Sequence, residues 1–176
     1  MARLPYLDKG ASPAVDEAYG QVERLGRPVL NLYRTLANQP PALAAFLEMS
    51  RYVRDDSSLD PGLRELVILA TAYELDQPYE VGHHSAAAIR VGVPPAKIAA
   101  AGHTGSASDL SRAEACAVDF ARQVAKTRTC DDLLFGKLEA HFSPHEIIDL
   151  VVTTAWYHLC AVILSSLEVE LEVPQK

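Results

Sequence analysis

Cysteine is scarce in this chain: Cys116, Cys130 and Cys160 are the only three in 176 residues, odd in number and widely spaced. No two of them form a C-x-x-C, which excludes a vicinal dithiol at any of them, and the set suits a reducing compartment better than a disulfide framework. Basic charge is also in deficit, with 16 Lys and Arg against 23 Asp and Glu and a net charge of −7. No basic stripe offsets that balance, so phosphate-dominated nucleic-acid binding is excluded, while a locally positive pocket for a small anion is not. The opening residues, MARLPYLDKG, carry no apolar h-region of the kind a secretory signal needs. A single long apolar run, Leu150 to Leu167, raises the question of a membrane. It contains Thr153, Thr154 and His158, follows Asp149 closely and ends in Ser165, Ser166 and Glu168, so a buried core helix is expected there. The expectation is a cytoplasmic protein with neither membrane nor nucleic-acid partner.

Strand patterns are missing too, and helix punctuation takes their place. SPAVDEAYGQVERLG has Ser12 as N-cap, Pro13 at the first helical position and Gly26 past the end. Asp60 and Pro61 repeat the device before GLRELVILATAYE. Ser111 with Glu114, and Ser143 with Glu146, have the spacing of capping boxes. Further helices are expected over PPALAAFLEMSRYVRD, after Val93-Pro94-Pro95 and over DDLLFGKLEAHF, with GHTGSASDL as the clearest polar break. Hydrophobic residues make up 49% and charged residues 22%, normal for one globular domain of this length. The fold class expected is all-α: a single-domain bundle of seven to nine helices over residues 1–176. Within it, 1–58 form a helical lead-in, 59–93 a core helix pair and 94–176 the remaining helices.

The helix from Pro61 is apolar nearly all round. Leu63, Leu66, Val67 and Ala70 make one stripe, and Ile68, Leu69 and Ala72 extend it, so the helix is buried and Glu65 is at least partly buried with it. A buried carboxylate needs a partner or a proton. Next comes QPYEVGHHSAAAIRVGV. Pro78 suits the first position of a new helix, which puts Gln77 near the N-cap, Glu80 in the first turn and His84 one turn further along the same face. The helix N-terminus favours an ionised Glu80, and an i,i+4 pair with His84 favours the imidazolium and orients the ring. A first-turn glutamate equally serves to satisfy the helix end, so the residues alone leave both roles open. His83 faces another direction and is read as structural, and the SAAA run as a surface for close helix packing. Adjacent histidines lack the i,i+4 spacing that would aim both at one ion, so no metal is expected.

LRELVILATAYELDQPYEVGHHSAAAIRVGV resembles the signature of the carboxymuconolactone decarboxylase family, which includes the alkyl hydroperoxidase D-like proteins. The likeness extends from ARLPYL to LEAHFSPHEIIDLVVTTAWYHLCAVIL and so covers most of the chain. It implies an all-helical fold of the alkyl hydroperoxidase D-like type, assembled as homotrimers or homohexamers with active sites at or near subunit contacts. The family's peroxidase branch places a glutamate, then twelve residues later a CxxC, then a histidine four residues past the second cysteine. In that frame Glu65 matches the glutamate, His84 the histidine, and the two cysteine positions fall on Gln77 and Glu80, with Tyr79 between them. A thiol at a helix N-terminus has a lowered pKa, which is the logic of the peroxidase frame. Gln77 and Glu80 cannot form a thiolate, a sulfenate or a disulfide.

The resemblance therefore implies the decarboxylase-like chemistry, proton transfer without redox thiols and without a cofactor. His84 is the expected proton carrier, Glu80 orients it and stabilises its charged form, and Glu65 is a second acid–base group or buried relay. Tyr79 and Gln77 are the expected contacts to a small-molecule substrate, an organic acid or lactone handled by a lyase or isomerase. Against lactone decarboxylation itself stands the lack of an arginine cluster at the motif, since Arg64 faces elsewhere on its helix than Glu65 and Arg90 lies two turns past His83. His103 falls in the polar loop, His141 and His145 are read as solvated, and Trp156, Tyr157 and His158 as core or wall residues. Two other readings remain: an antioxidant enzyme with a displaced cysteine, and a non-catalytic helical oligomer or small-ligand binder that has lost the redox centre.

Overall fold

Residues 2–172 are described in the computed structural model of the chain. Among them are nine α-helices and no strand: α1 (Pro13–Arg24), α2 (Asn31–Leu36), α3 (Pro40–Arg51), α4 (Pro61–Glu74), α5 (Pro78–Arg90), α6 (Pro95–Ala101), α7 (Arg112–Thr127), α8 (Asp132–Glu139) and α9 (Pro144–Leu167). A π-helical turn, Tyr52–Asp56, follows α3, and a 3-10 turn, Ala107–Asp109, precedes α7. The expected all-α class is observed, at the upper end of the expected helix count.

The punctuation works as the residue types predict. Ser12 Oγ accepts from Val15 N, and Asp60 Oδ1 accepts from Gly62 N and Leu63 N at 2.9 and 3.0 Å. Ser111 and Glu114 close a reciprocal capping box, as do Ser143 and Glu146. Each such cap satisfies orphan helix donors and contributes about 1 kcal/mol. Gly26 takes a left-handed φ of 67° just past α1, where a Cβ would be strained.

The chain forms two compact units, Met1–Asp56 with Ile163–Lys176, and Ser57–Val162. In the first, α1 and α3 pack on each other, and α2 packs on α3. Val15, Tyr19, Val22, Leu32, Leu43 and Phe46 are buried there, and the Tyr33 ring meets Phe46 edge-on at 6.2 Å. In the second, α4 is the hub, packing on α5, α6 and α7. Leu66, Val67, Leu69 and Ala70 of α4 join Ala117, Phe120 and Ala121 of α7, Leu138 of α8 and Leu150 of α9 in one core cluster. At roughly 1.5–3 kcal/mol per large side chain, this burial holds α4 in place against the cost of enclosing polar groups on its other face. At the C-terminal end of α4 the buried carboxylate of Glu74 takes Lys126 Nζ at 2.8 Å and the His103 ring, joining α4 to α7 and the loop after α6. His103, expected in the polar loop, is exposed there and its ring pairs with Glu74.

By length and composition α9 is apolar enough to cross a membrane, yet half of its most apolar window is buried within the chain. Ser58 N and Oγ donate to Asp149 Oδ2 at 2.7 and 2.6 Å, tying the start of the second unit to α9. On the outer side of α9, Ile148, Val151, Leu159 and Val162 are exposed.

Candidate acid–base site

The half of α4 turned away from the core cluster carries Glu65, which is 4% exposed. It stays buried because α5 supplies a partner. Pro78 opens α5, Gln77 is its N-cap, and Glu80 falls in the first turn, one helical turn before His84. Both α5 residues are buried, at 4% and 5% exposure, so the three groups meet away from bulk water.

His84 lies between the two carboxylates. Its Nδ1 is 2.6 Å from Glu65 Oε2, and its Nε2 is 3.3 Å from Glu80 Oε2. Burial opposes charging of the ring, but the hydrogen bonds and charges of Glu65 and Glu80 outweigh it and raise the His84 pKa to about 9. At neutral pH the ring is therefore an imidazolium donating to both glutamates. With both ring nitrogens engaged, no imidazole lone pair is free for a metal, and among the described residues no group of three or more His, Cys, Asp or Glu is placed to hold an ion.

Two walls complete the site. The ring of Tyr157, on α9, stands edge-on to His84 with centroids 4.9 Å apart. Gln77 is buried, and its Nε2 lies 3.4 Å from the Ala161 carbonyl, also on α9. Tyr79 is 3% exposed and packs against His83 with ring centroids 4.7 Å apart. Of the residues singled out in the sequence, the structure thus brings Glu65, Glu80 and His84 into direct contact and turns Gln77 and Tyr79 toward α9 and His83. The direct Glu65–His84 contact is new, with one trace in the sequence, a glutamate inside an apolar helix that required a partner. Tyr157, expected as a core or wall residue, is the wall that stands against His84.

Four buried polar atoms of this unit, Arg64 Nε, Arg122 Nε, Thr154 Oγ1 and His158 Nε2, have no hydrogen-bond partner. Leaving such a group unsatisfied costs about 1–3 kcal/mol. Arg64, next to Glu65 in α4, is 9% exposed.

The sequence model of the carboxymuconolactone decarboxylase family matches residues 40–123, a span that contains Glu65, Gln77, Glu80 and His84. No curated protein matches the chain by sequence. Among solved structures, an uncharacterized peroxidase-related protein from Ralstonia eutropha, described as an alkylhydroperoxidase AhpD core, superposes with a TM-score of 0.83 at 22% identity, covering 97% of this chain and 92% of that one. A cysteine-to-alanine variant of the debrominase Bmp8, in complex with 2,3,4-tribromopyrrole, gives 0.83 at 19% identity over 97% and 91%. A peroxidase-related protein from Silicibacter sp. gives 0.81 at 19% identity over 97% and 90%. At these identities the structural likeness establishes the all-α alkyl hydroperoxidase D-like fold and no more.

Proposed function

The chain belongs to the carboxymuconolactone decarboxylase family, and on that premise we propose that it is a cofactor-independent acid–base enzyme, a lyase or isomerase acting on a small organic acid or lactone. The observation that carries this reading is His84 held between Glu65 and Glu80 in a buried site, with its pKa raised to about 9. A ring charged at neutral pH is a general acid rather than a base. Glu65, the closer partner, holds the ring and its charge; Glu80, the more loosely held carboxylate, is the group that exchanges protons with substrate.

In a decarboxylation the C–C bond to the departing carboxylate breaks, CO2 leaves, and the electron pair passes into the conjugated carbonyl as an enolate. A proton from His84, handed on through Glu80, then closes the enolate at carbon, and solvent restores the ring. In an isomerisation Glu80 takes a proton from one carbon and returns it to another while His84 stabilises the enolate. The orphaned Nε–H of Arg64 is the donor we assign to the substrate's carboxylate. The Bmp8 structure, with a tribrominated pyrrole bound to a protein of this fold, supports a substrate of single-ring size. We also propose that the cytoplasmic chain works as a homotrimer or homohexamer.

The test is a panel of small lactone acids, carboxymuconolactone among them, followed for CO2 release and for loss of the conjugated absorbance. Glu80→Gln, which preserves shape, and His84→Ala should each lower turnover by roughly 10²–10⁴-fold, with the helical spectrum retained in Glu80→Gln. Full activity in both variants removes the mechanism.

A further inference from the structure

The Ser57–Val162 unit holds the acid–base site, but the first unit has a cavity of its own. It has a volume of about 330 Å³ and is lined by residues of α1, the turn after it, α2 and α3. Val22, Tyr33 and Ser50 form its buried part, at 2%, 4% and 5% exposure, with Leu25 and Leu47 adding apolar surface. Around it stand three guanidinium groups, Arg24, Arg27 and Arg51, against one carboxylate, Glu48. Three of the 16 basic residues of a chain with net charge −7 thus converge on one apolar hollow, which random scatter over an acidic surface does not favour.

The arginines are not equivalent. Arg27 gives Nη2 to Asp55 and Arg51 gives Nη1 to Asp56, both carboxylates outside the cavity lining, while Arg51 Nη2 lies 3.6 Å from Oε2 of Glu48 on the lining itself. These pairs fix both guanidinium groups, the preorganisation that planar oxyanion recognition requires, and Arg27 keeps further N–H donors of its fork unspent. Among the described residues Arg24 makes no ion pair, so it keeps a whole positive charge at the rim.

We propose that this cavity is a binding site for a small amphipathic monoanion, a carboxylate on an apolar body. The carboxylate sits among Arg24, Arg27 and Arg51, and the body lies on Val22, Tyr33 and Leu47, with the Ser50 hydroxyl at the floor. The volume equals about eleven waters at ~30 Å³ each, room for a medium-chain acid such as octanoate and at the small end of ligand pockets. A neutral body of the same size loses the guanidinium contacts, and a cationic one meets them as like charges.

Calorimetric titration of the full chain with octanoate, octan-1-ol and octyltrimethylammonium tests this. Saturable binding of one octanoate per chain is expected, with the alcohol at least tenfold weaker and no binding of the ammonium. Arg24→Glu, at an exposed position, should weaken octanoate at least tenfold. Gln21→Trp, which fills the cavity from its half-buried rim, should abolish it, with unchanged helical content showing that each variant is folded. Amide chemical-shift changes on titration should centre on α1 and α3. No saturable octanoate binding, alcohol binding as tightly as the acid, an unchanged affinity in Arg24→Glu, or shift changes centred on α5 would each overturn the proposal.

Discussion

His84 Nδ1 lies 2.6 Å from Oε2 of Glu65, nineteen residues earlier in the chain, while the glutamate one turn away on its own helix, Glu80, stands at 3.3 Å from the other nitrogen. The tertiary contact is thus shorter than the local one, and Glu65 is the main counter-ion of the ring. Replacing Glu65 by Gln should therefore pull the His84 pKa down from about 9 further than Glu80→Gln does. NMR titration of the His84 ring protons in the two variants measures both shifts. A larger fall in Glu80→Gln would reverse the assignment of holder and exchanger.

The same ring makes stability depend on pH. Its pKa is raised from 6.5 in the unfolded chain to about 9 in the fold, so its contribution is fully present below pH 6.5 and disappears as pH rises through about 9. A shift of that size corresponds to roughly 3 kcal/mol. Above pH 9 the fold also keeps two buried carboxylates with no cation between them. The thermal midpoint should fall between pH 7 and pH 10 in the wild type, and this fall should flatten in Glu65→Gln. A flat wild-type profile would mean that His84 is neutral throughout.

How much of this was legible beforehand varied with the range of the interaction. Pro, Ser and Asp caps act within four residues, so α1, α4, α7 and α9 could be read from their first turns. α2 could not: it has six residues, and its N-cap, Leu30, makes no side-chain cap hydrogen bond. Glu80 and His84 share a helix face at i,i+4, and their pairing follows from helix periodicity. The Glu65–His84 bond depends on how α4 packs on α5, which no local pattern encodes. What the sequence did carry was its necessity, a carboxylate within an apolar helix. Tyr157 stands 73 positions beyond His84, and the cavity arginines come from α1, a turn and α3, so neither grouping leaves a periodic trace.

Peroxide chemistry at a displaced thiol meets a physical obstacle. Burial raises the pKa of Cys116 and of Cys130, with Asp119 adding to the first and Asp131 to the second, and Cys160 is buried. Cys116 and Cys130 therefore lack the electropositive setting that makes a thiolate, and Cys160 lacks the exposure. With hydrogen peroxide and a dithiol reductant, consumption should equal the protein-free rate, and Cys130→Ser should change nothing. Dithiol-dependent turnover lost in Cys116→Ser or Cys130→Ser would instead establish the antioxidant reading.

Arg64 offers a separate check on the substrate class. The Nε–H of Arg64 is buried without a partner, which is costly in the free protein, so Arg64→Met should leave the thermal midpoint unchanged or higher. For a carboxylate substrate the same change should raise KM about tenfold, the loss of one charge-assisted contact of roughly 1.4 kcal/mol, with kcat little altered. An unchanged KM would detach Arg64 from substrate binding.

The outer face of α9 poses the question of assembly. Ile148, Val151, Leu159 and Val162 are 58%, 41%, 46% and 64% exposed, and with Ala155 they recur at intervals of three and four residues along one side of the helix. A stripe with that period packs well against a second helix and poorly against water. If α9 is the contact between copies, one aspartate at its most exposed position, Val162→Asp, should shift the mass measured by light scattering from the oligomer to the monomer near 19.1 kDa. Helical content should stay the same, because Val162 already faces outward. A wild-type chain that runs as a monomer, or an oligomer indifferent to Val162→Asp and Ile148→Asp together, would assign the stripe another partner. An oligomer that dissolves together with turnover would further tie the acid–base site to the assembled form, since α9 also carries Tyr157 against His84.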